Sequence, residues 1–326
     1  MKNSNYIAES VFRINLKYTQ LQNETKELFF YCLNNNKDLE YFKGKIEQIW
    51  GNLDHTFMDD EIGEYEELIH EQNMQGREIE QVKKQNAYFA LVPVAVMIAT
   101  EKKFVKIKER EYKNSLKSYA YKHDKEEYLK LKVAKYTDQI VPYYKKSTNE
   151  IVRYVQLSTY NSMIHNTNLT RSGWNTTLND ADILDNQYFT IPYHPFSCPY
   201  CIAHQGKRLS RKEIMRFLGK EAMEQEGDIL HPNCKCTLTF YEGSVYKSRY
   251  SKSELNNQYE IRQKVNSLTL KKEQVKTDMK IQSRLGNQDE VDKLNQQRNK
   301  INKEIRNLKD ELPTESLKKQ VVAINR

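Results

Sequence analysis

Apolar residues recur three and four positions apart in the first 85 residues, as in the segments LFFYCLNN and LEYFKGKIEQIW. This spacing places the apolar side chains on one face of a helix, so several amphipathic helices are predicted. Asp38 is the predicted N-cap of the second segment, and Gly51 is predicted to end it. The lone thiol Cys32 falls on the apolar face of the first segment and is predicted to lie in the core.

The main apolar run, AYFALVPVAVMIAT, covers residues 87–100. It is shorter than the roughly 20 residues of a membrane span, lysines stand on both sides of it, and Pro93 would kink it. A buried helix and no stable membrane span are therefore predicted. The alternative is contact with a membrane or a partner protein.

Lysine and tyrosine alternate in the next part of the chain, residues 101–160. The tyrosines are Tyr112, Tyr119, Tyr121, Tyr128, Tyr136, Tyr143 and Tyr144. Such a mixture can bind single-stranded nucleic acid through phosphate contacts and base stacking. Half-buried helix residues with solvated hydroxyls are the favoured interpretation. An N-terminal helical region is predicted to cover residues 1–150.

Two apolar seams with heptad spacing lie near the C-terminus, at residues 261–282 and 291–312. Steps of four and three are typical of a coiled coil. Leu285-Gly286-Asn287 indicates a turn between them, so an antiparallel coiled-coil hairpin is predicted. Pro313 is predicted to end the second helix, with a mobile tail after it. Polar residues occupy three seam positions, Lys272, Gln282 and Arg298.

The positive charge of the chain is concentrated in this C-terminal arm. Residues 244–326 contain 19 Lys and Arg against 11 Asp and Glu, while residues 1–243 have 33 of each, so the arm accounts for the net charge of +8. A basic arm favours a polyanion, either nucleic acid or an acidic protein surface. The candidate contact residues are Lys271, Lys272, Lys276 and Lys280. A solvated helical face rich in lysine is the alternative.

Composition narrows the fold class. A chain of 326 residues is long enough for two or three units, and it contains only 10 Gly and 7 Pro. Few turn residues and many Lys, Glu, Asn, Gln and Tyr favour long helices over a sandwich or barrel. The predicted fold is mainly α, with a small α+β zinc-knuckle domain at 151–243 and the basic hairpin and tail at 244–326.

Candidate chemistry is concentrated between residues 194 and 243. Four of the five cysteines lie here, in two close pairs about 30 residues apart: Cys198, Cys201, Cys234 and Cys236. Two short Cys turns that face each other match the tetrahedral sulfur set of a Zn²⁺ site. Four sulfur ligands leave no position for an activated water, so a structural zinc is predicted, contributing on the order of 10 kcal/mol to folding.

Other interpretations of these cysteines are weaker. CPYC resembles a glutaredoxin dithiol, but no helix is indicated after it, and Cys234 and Cys236 would have no role. A zinc deaminase needs H-x-E before its C-x-x-C, whereas Pro195 and Phe196 follow His194. Four reduced thiols without a metal are the main alternative. Disulfides are not expected, because no signal peptide is visible.

Three histidines, His194, His204 and His231, flank the cysteines and are possible ligands. His194 and His231 are predicted instead to orient the cysteine loops through hydrogen bonds, as residues around metal ligands commonly do. Gly206 is predicted to supply the positive φ that turns the chain back after Cys201.

The same stretch resembles a known family. The motif residues are His194, Cys198-Pro199-Tyr200-Cys201, Gln205-Gly206-Lys207, His231-Pro232-Asn233-Cys234-Lys235-Cys236 and Gly243. At these motif residues the chain resembles the phage minor capsid protein 2 family, which belongs to the MuF-type head morphogenesis proteins. Lys235 replaces the usual Arg, and Cys236 stands where many members have His, an exchange between two zinc ligands. The close match covers roughly a sixth of the chain.

The resemblance implies a non-enzymatic minor head protein of a tailed phage, acting in head morphogenesis and, in some members, in DNA ejection. The implied partners are the portal protein, the major capsid protein and packaged double-stranded DNA. The implied location is the virion, at the head interior or portal vertex, and the host cytoplasm during assembly. No phosphate loop, nucleophile elbow or H-E-x-x-H motif supports catalysis. The alternatives are an injected zinc-dependent enzyme acting on nucleic acid and a plain DNA-binding protein.

Overall fold

The computed structural model describes residues 2–74, 87–145, 150–219, 230–231, 234–243, 248 and 250–322. The fold is mainly helical, as the sequence predicts, and it contains small antiparallel sheets. The first helices are α1 (Lys2–Asn34), α2 (Leu39–Gly51), α3 (Thr56–Met74), α4 (Ala87–Lys117), α5 (Tyr119–His123) and α6 (Lys125–Lys135). The later helices are α7 (Leu157–Ile183), α8 (Pro199–Ile202), α9 (Arg211–Gly219), α10 (Lys252–Arg284), α11 (Gln288–Asp310) and α12 (Glu315–Val322).

The strands form two small antiparallel sheets. β1 (Gln139–Lys145) pairs with β2 (Glu150–Gln156) in a hairpin that leads directly into α7. The second sheet has β3 (Tyr188–Thr190) at its centre, between β4 (Leu209–Ser210) and β5 (Thr239–Phe240). This second sheet lies beside the cysteines and joins the two segments that carry them.

The N-terminal core is built from aromatic side chains on α1, α2 and α4. The rings of Phe42 and Tyr112 stack at 4.2 Å, and Phe29 meets both of them edge to face. Offset and edge-to-face ring pairs of this kind add to the stabilisation from burial alone. Asp38 caps α2 by accepting a 2.8 Å hydrogen bond from the Tyr41 amide, and Cys32 is fully buried, both as predicted.

The apolar run at 87–100 lies in α4, which continues without a break past Pro93 to Lys117. Met97 and Phe104 are buried in the N-terminal core, and Val96 is 40% exposed. The side chains of residues 87–93 lie outside the described part. None of the helices in the described ranges has a stretch long and apolar enough to cross a bilayer.

Helix α7 joins the N-terminal core to the cysteine-containing part of the chain. It packs against α1, α3 and α4, and its C-terminal half also belongs to the core around the cysteines. Gly173 allows the close approach of α3, since a Cβ there would lie 2.5 Å from the Tyr65 ring. The predicted boundary near residue 150 falls at the start of β2, the strand that leads into α7.

Polar contacts reinforce the packing of α3 on its neighbours. His165 on α7 places Nε2 2.7 Å from Ser10 Oγ and 3.0 Å from Glu61 Oε2. His70 lies 2.7 Å from Asp180, which also accepts a 2.8 Å hydrogen bond from Asn73. Buried polar groups are tolerated when they are paired in this way.

Helices α10 and α11 pack against each other across the turn at Gly286, whose φ is +73°. Ser251 and Glu254 form a capping box that starts α10. The mobile tail predicted after Pro313 is wrong for residues 315–322, which form α12 and bury Leu317 and Val321. The sequence missed this element because its short apolar stripe gains stability only by packing on the hairpin.

The helix pair also docks on the N-terminal helices. Lys26 on α1 and Asp278 on α10 form an ion pair of 2.5 Å, and Ile281 enters the N-terminal core. At the other end of α10, Ile261 and Val265 share a core with Phe196 from the loop before α8. The C-terminal arm therefore packs against two other parts of its own chain.

Candidate metal centre

The first cysteine pair is shaped by a short helix. Cys198 is the N-cap of α8, where its Sγ accepts a 3.3 Å hydrogen bond from the Cys201 amide, and Pro199 fills the first helical position. Gly206 then turns the chain back with φ +71°, and its amide bonds to the Ile191 carbonyl at 2.9 Å. A Cβ at Gly206 would lie 2.6 Å from the Tyr193 ring, so the predicted role of this glycine is confirmed.

The second cysteine pair is held by one face of α7. Asn166 Nδ2 and Thr170 Oγ1 both donate to the Cys234 carbonyl, at 2.8 and 2.9 Å. Trp174 Nε1 donates to the Cys236 carbonyl at 2.8 Å. One turn later, Thr177 donates to the Leu238 carbonyl at 3.2 Å. These α7 residues are three or four positions apart and so lie on one face, which fixes the extended segment 234–238 by its backbone.

The structure brings all four predicted cysteines together with His231. The Sγ atoms of Cys198 and Cys201 are 2.9 Å apart, and Cys201 Sγ is 3.6 Å from Cys234 Sγ. The donor atoms of Cys201, Cys234 and Cys236 lie within 4.8 Å of one another. All four cysteines are free and buried. The cluster is therefore compact enough to hold a metal ion.

His231 belongs to this cluster. Its Nε2 lies 3.1 Å from Cys198 Sγ and 3.9 Å from Cys201 Sγ, and the three donor atoms are all within 4.8 Å of one another. The same geometry suits an imidazole N–H hydrogen bond to the Cys198 sulfur or direct metal coordination. Pro232 and Asn233, which follow in the motif, lie outside the described residues.

The other two histidines have different surroundings. His194 is buried, with Nδ1 3.0 Å from the Pro195 carbonyl and Nε2 3.7 Å from Cys236 Sγ. Burial lowers the pKa of His194 to about 4, so its imidazole is neutral at pH 7. His204 packs edge to face on Phe217, with ring centroids 5.7 Å apart. His194 thus contacts the cluster from its rim, while His204 contributes to packing.

The thiols are electrostatically unequal. The hydrogen bond with Cys201, together with His231, lowers the pKa of Cys198 to about 5 although burial opposes this. The same hydrogen bond and further ones to Cys234 and Cys236 raise the pKa of Cys201 well above its usual value. A thiolate is the form that binds metal, so Cys198 is already suited to be a ligand at neutral pH.

The donor set fits zinc. Sulfur and imidazole are the ligands of tetrahedral structural zinc sites, and four cysteines in two short turns are a common arrangement. No Asp or Glu side chain belongs to the group of Cys198, Cys201 and His231 or to the group of Cys201, Cys234 and Cys236. The residues that could hold the ion are Cys198, Cys201, Cys234 and Cys236, with His231 as the further donor.

The predicted polyanion-binding lysines lie on α10 in unequal settings. Lys271 is exposed and Lys272 is partly buried. Lys276 pairs with Glu273 at 2.7 Å, and Lys280 pairs with Glu27 on α1. Two of the four positive charges are therefore matched by carboxylates of the same chain.

Sequence reasoning missed the positioning residues of this site. The α7 face that holds Cys234 and Cys236 carries Asn and Thr, whose pattern alone does not distinguish carbonyl-binding from solvent-facing residues.

Comparisons of the chain with family models, with curated proteins and with solved structures found no match.

Proposed function

We propose that this chain is a non-catalytic minor head protein of a tailed phage, in which the cysteine cluster holds a structural Zn²⁺. The observation that supports this most is the convergence of Cys198, Cys201, Cys234 and Cys236 in one buried cluster. These are the cysteines of the motif that resembles the phage minor capsid protein 2 family.

The ion would be held by Cys198, Cys201, Cys234 and Cys236, and it would supply cross-linking rather than chemistry. In the described residues, the loop at 194–206 and the segment at 234–238 are linked through the small sheet of β3, β4 and β5, in which each pair of strands matches only two residues. A structural zinc site commonly contributes on the order of 10 kcal/mol to the folding of such a region. The result would be a rigid surface that can dock on a portal or capsid subunit.

The hairpin α10–α11 is the proposed contact for packaged DNA or an acidic portal surface. Lys271 and Lys272 form no ion pair within the described ranges, and Lys309 on α11 is close enough to Lys272 for the two charges to repel. A group of unpaired lysines is suited to phosphate oxygens or to carboxylates.

The proposal is tested by isolating particles of the phage that encodes the chain. The protein should be present in heads or procapsids in few copies, should bind portal or capsid protein, and should contain zinc by elemental analysis. Its absence from particles would overturn the minor head assignment. A metal with a solvent ligand and a carboxylate beside it would instead favour the injected enzyme, because that open position is what zinc hydrolases use.

A further inference from the structure

Two cationic side chains lie against the cysteine cluster. Lys235 stands between Cys234 and Cys236 in the sequence and is partly buried. Arg262 comes from the N-terminal half of α10 and is 4% exposed. Both line the small cavity that Cys198 and Cys201 also line. The cluster thus has a positive wall, part of which is contributed by the hairpin.

Within the described ranges, neither Lys235 nor Arg262 forms an ion pair, and Arg262 Nε is buried without a hydrogen-bond acceptor. The guanidinium lies 4.8 Å above the Phe196 ring. Burial lowers the pKa of Arg262 to about 10, with Glu9 on α1 acting against the shift from outside ion-pair distance. An unpaired buried charge of this kind is costly unless an opposite charge is supplied.

The opposite charge cannot come from a small anion in the cavity. The cavity has a volume of about 10 Å³, which is enough for a single water molecule and too little for a phosphate or carboxylate. Tyr259 also lines the cavity, and burial raises the pKa of its phenol to about 12, so at neutral pH the other groups in the wall that can be negative are the sulfur atoms of Cys198 and Cys201. Four thiolates around one Zn²⁺ have a net charge of −2, which the adjacent guanidinium of Arg262 would partly balance.

We infer that Arg262 is a counter-charge of a metal-bound tetrathiolate, so that metal occupancy fixes α10 on the cysteine cluster. This inference rests on the zinc site of the proposed function and adds a coupling between that site and the hairpin. With the metal bound, the guanidinium faces a permanent negative charge. Without the ion, the four sulfurs are no longer cross-linked beside Arg262, and the docking of the N-terminal half of α10 on the cluster is weaker.

The coupling acts in both directions. If the metal favours docking of α10, then α10 with its cation favours metal binding by the same free energy. Residues around metal ligands typically change metal affinity by about 10- to 100-fold when they are substituted. Arg262 is a positioning residue in this scheme, because it acts through the thiolates and is not itself a ligand.

Three variants of the full chain test the inference. Arg262→Met removes the charge and keeps the length of the side chain, and Arg262→Lys keeps the charge. Arg306→Met, at an exposed position of α11, is the matched control. Zinc affinity is measured by competition with a chromophoric chelator. We expect Arg262→Met to weaken zinc binding about 10- to 100-fold, and Arg262→Lys and Arg306→Met to stay within about threefold of the unmodified chain.

Hydrogen exchange gives the second readout. Zinc removal from the unmodified chain should speed exchange of backbone amides at 255–266, which face the cluster. It should leave 275–284 unchanged, because that part of α10 is held by α1 through Lys26 and Asp278. In Arg262→Met, exchange at 255–266 should respond less to zinc removal than in the unmodified chain, because the charge that couples α10 to the thiolates is absent.

Several results would overturn the inference. Equal zinc affinities for Arg262→Met and Arg306→Met would exclude a counter-charge role while leaving the zinc site intact. An Arg262→Lys variant as weak as Arg262→Met would assign Arg262 to packing. If the unmodified chain binds no zinc, the zinc site and the coupling both fail, whereas association with phage heads would still stand on its own test.

Discussion

Trp174 Nε1 on α7 donates a 2.8 Å hydrogen bond to the backbone carbonyl of Cys236. Trp174 is fully buried, and α7 also packs on α1, α3 and α4. The position of a candidate metal ligand is therefore set by a helix whose other contacts lie in the N-terminal core. Rigid support of this kind is what keeps metal ligands in a productive geometry.

Trp174→Phe should lower both stability and zinc affinity. The phenyl ring cannot donate to the Cys236 carbonyl, which costs about 1–3 kcal/mol when the acceptor is left buried. Trp50→Phe is a matched control, because Trp50 is also buried and its Nε1 donates a 2.9 Å hydrogen bond to Thr25, far along the chain from the cysteines. Urea unfolding should show losses for both variants, while chelator competition should show about tenfold weaker zinc binding for Trp174→Phe alone. Equal zinc affinities in the two variants would contradict the role assigned to Trp174.

Cysteine substitutions should divide into two classes. Cys234→Ala should lower the zinc content measured by elemental analysis, because only three sulfur ligands remain and His231 would have to complete the tetrahedron. Cys32→Ala removes a buried thiol from the N-terminal core and should keep the full zinc content. His231→Gln should retain zinc with about tenfold lower affinity if the imidazole only hydrogen-bonds to Cys198. A His231→Gln variant without zinc would make His231 a ligand in place of a cysteine.

The chain should lose stability in acid partly through Glu61. Burial alone would raise the pKa of Glu61, but hydrogen bonds from His165, Ser10 and Arg13 lower it to about 2. Since the folded-state pKa lies below the ordinary value of 4.5, ionised Glu61 stabilises the fold above about pH 4.5, and this contribution is lost as the pH falls towards 2.

Ionised Glu61 contributes about 3 kcal/mol to the free energy of unfolding at pH 7. Glu61→Gln should therefore be less stable than the unmodified chain at pH 7, and the difference should shrink steadily between pH 4.5 and 2. Glu47→Gln, at an exposed position of α2, is the control and should follow the unmodified chain. Urea unfolding across this pH range measures the stability of both variants and of the unmodified chain. A constant stability difference for Glu61→Gln would refute the assignment.

If the hairpin binds DNA, its lysines should contribute unequally. The double substitution Lys271→Ala and Lys272→Ala should reduce the slope of log affinity against log salt concentration by about 2, as expected when two phosphate contacts are lost. Lys276→Ala and Lys280→Ala together should reduce it less, because these residues already pair with Glu273 and Glu27. Fluorescence anisotropy with a labelled duplex at several salt concentrations provides the comparison. A slope unchanged from that of the unmodified chain in the Lys271→Ala, Lys272→Ala variant would exclude DNA contact at this patch.

Some features of the site follow from local sequence alone. The turn around Cys198 needs only Pro199 at the start of a short helix and Gly206 at a positive φ, and both act within a few residues. The N-cap role of Asp38 and the turn at Gly286 are equally local. Such features are determined by steric limits on φ and by hydrogen bonds between near neighbours.

Other features depend on which distant surfaces meet. Arg262 lies in a heptad-like segment and Lys235 lies in the cysteine motif. Neither sequence pattern indicates that the two side chains line one cavity. The polar face of α7 looks like a solvated helix until the segment 234–238 lies on it. Residues 315–322 likewise gain a helical structure with buried side chains from the hairpin beside them.

The sequence by itself determined the helical class of this protein, the turns at its cysteines and the set of sulfur donors, because helical periodicity and turn chemistry are short-range properties. Only the tertiary structure decided that His231 contacts Cys198, that α7 holds Cys234 and Cys236, and that Arg262 lines one cavity with Cys198 and Cys201. The physical reason is that burial and charge pairing depend on surfaces far apart in the chain, and helix packing alone brings them together.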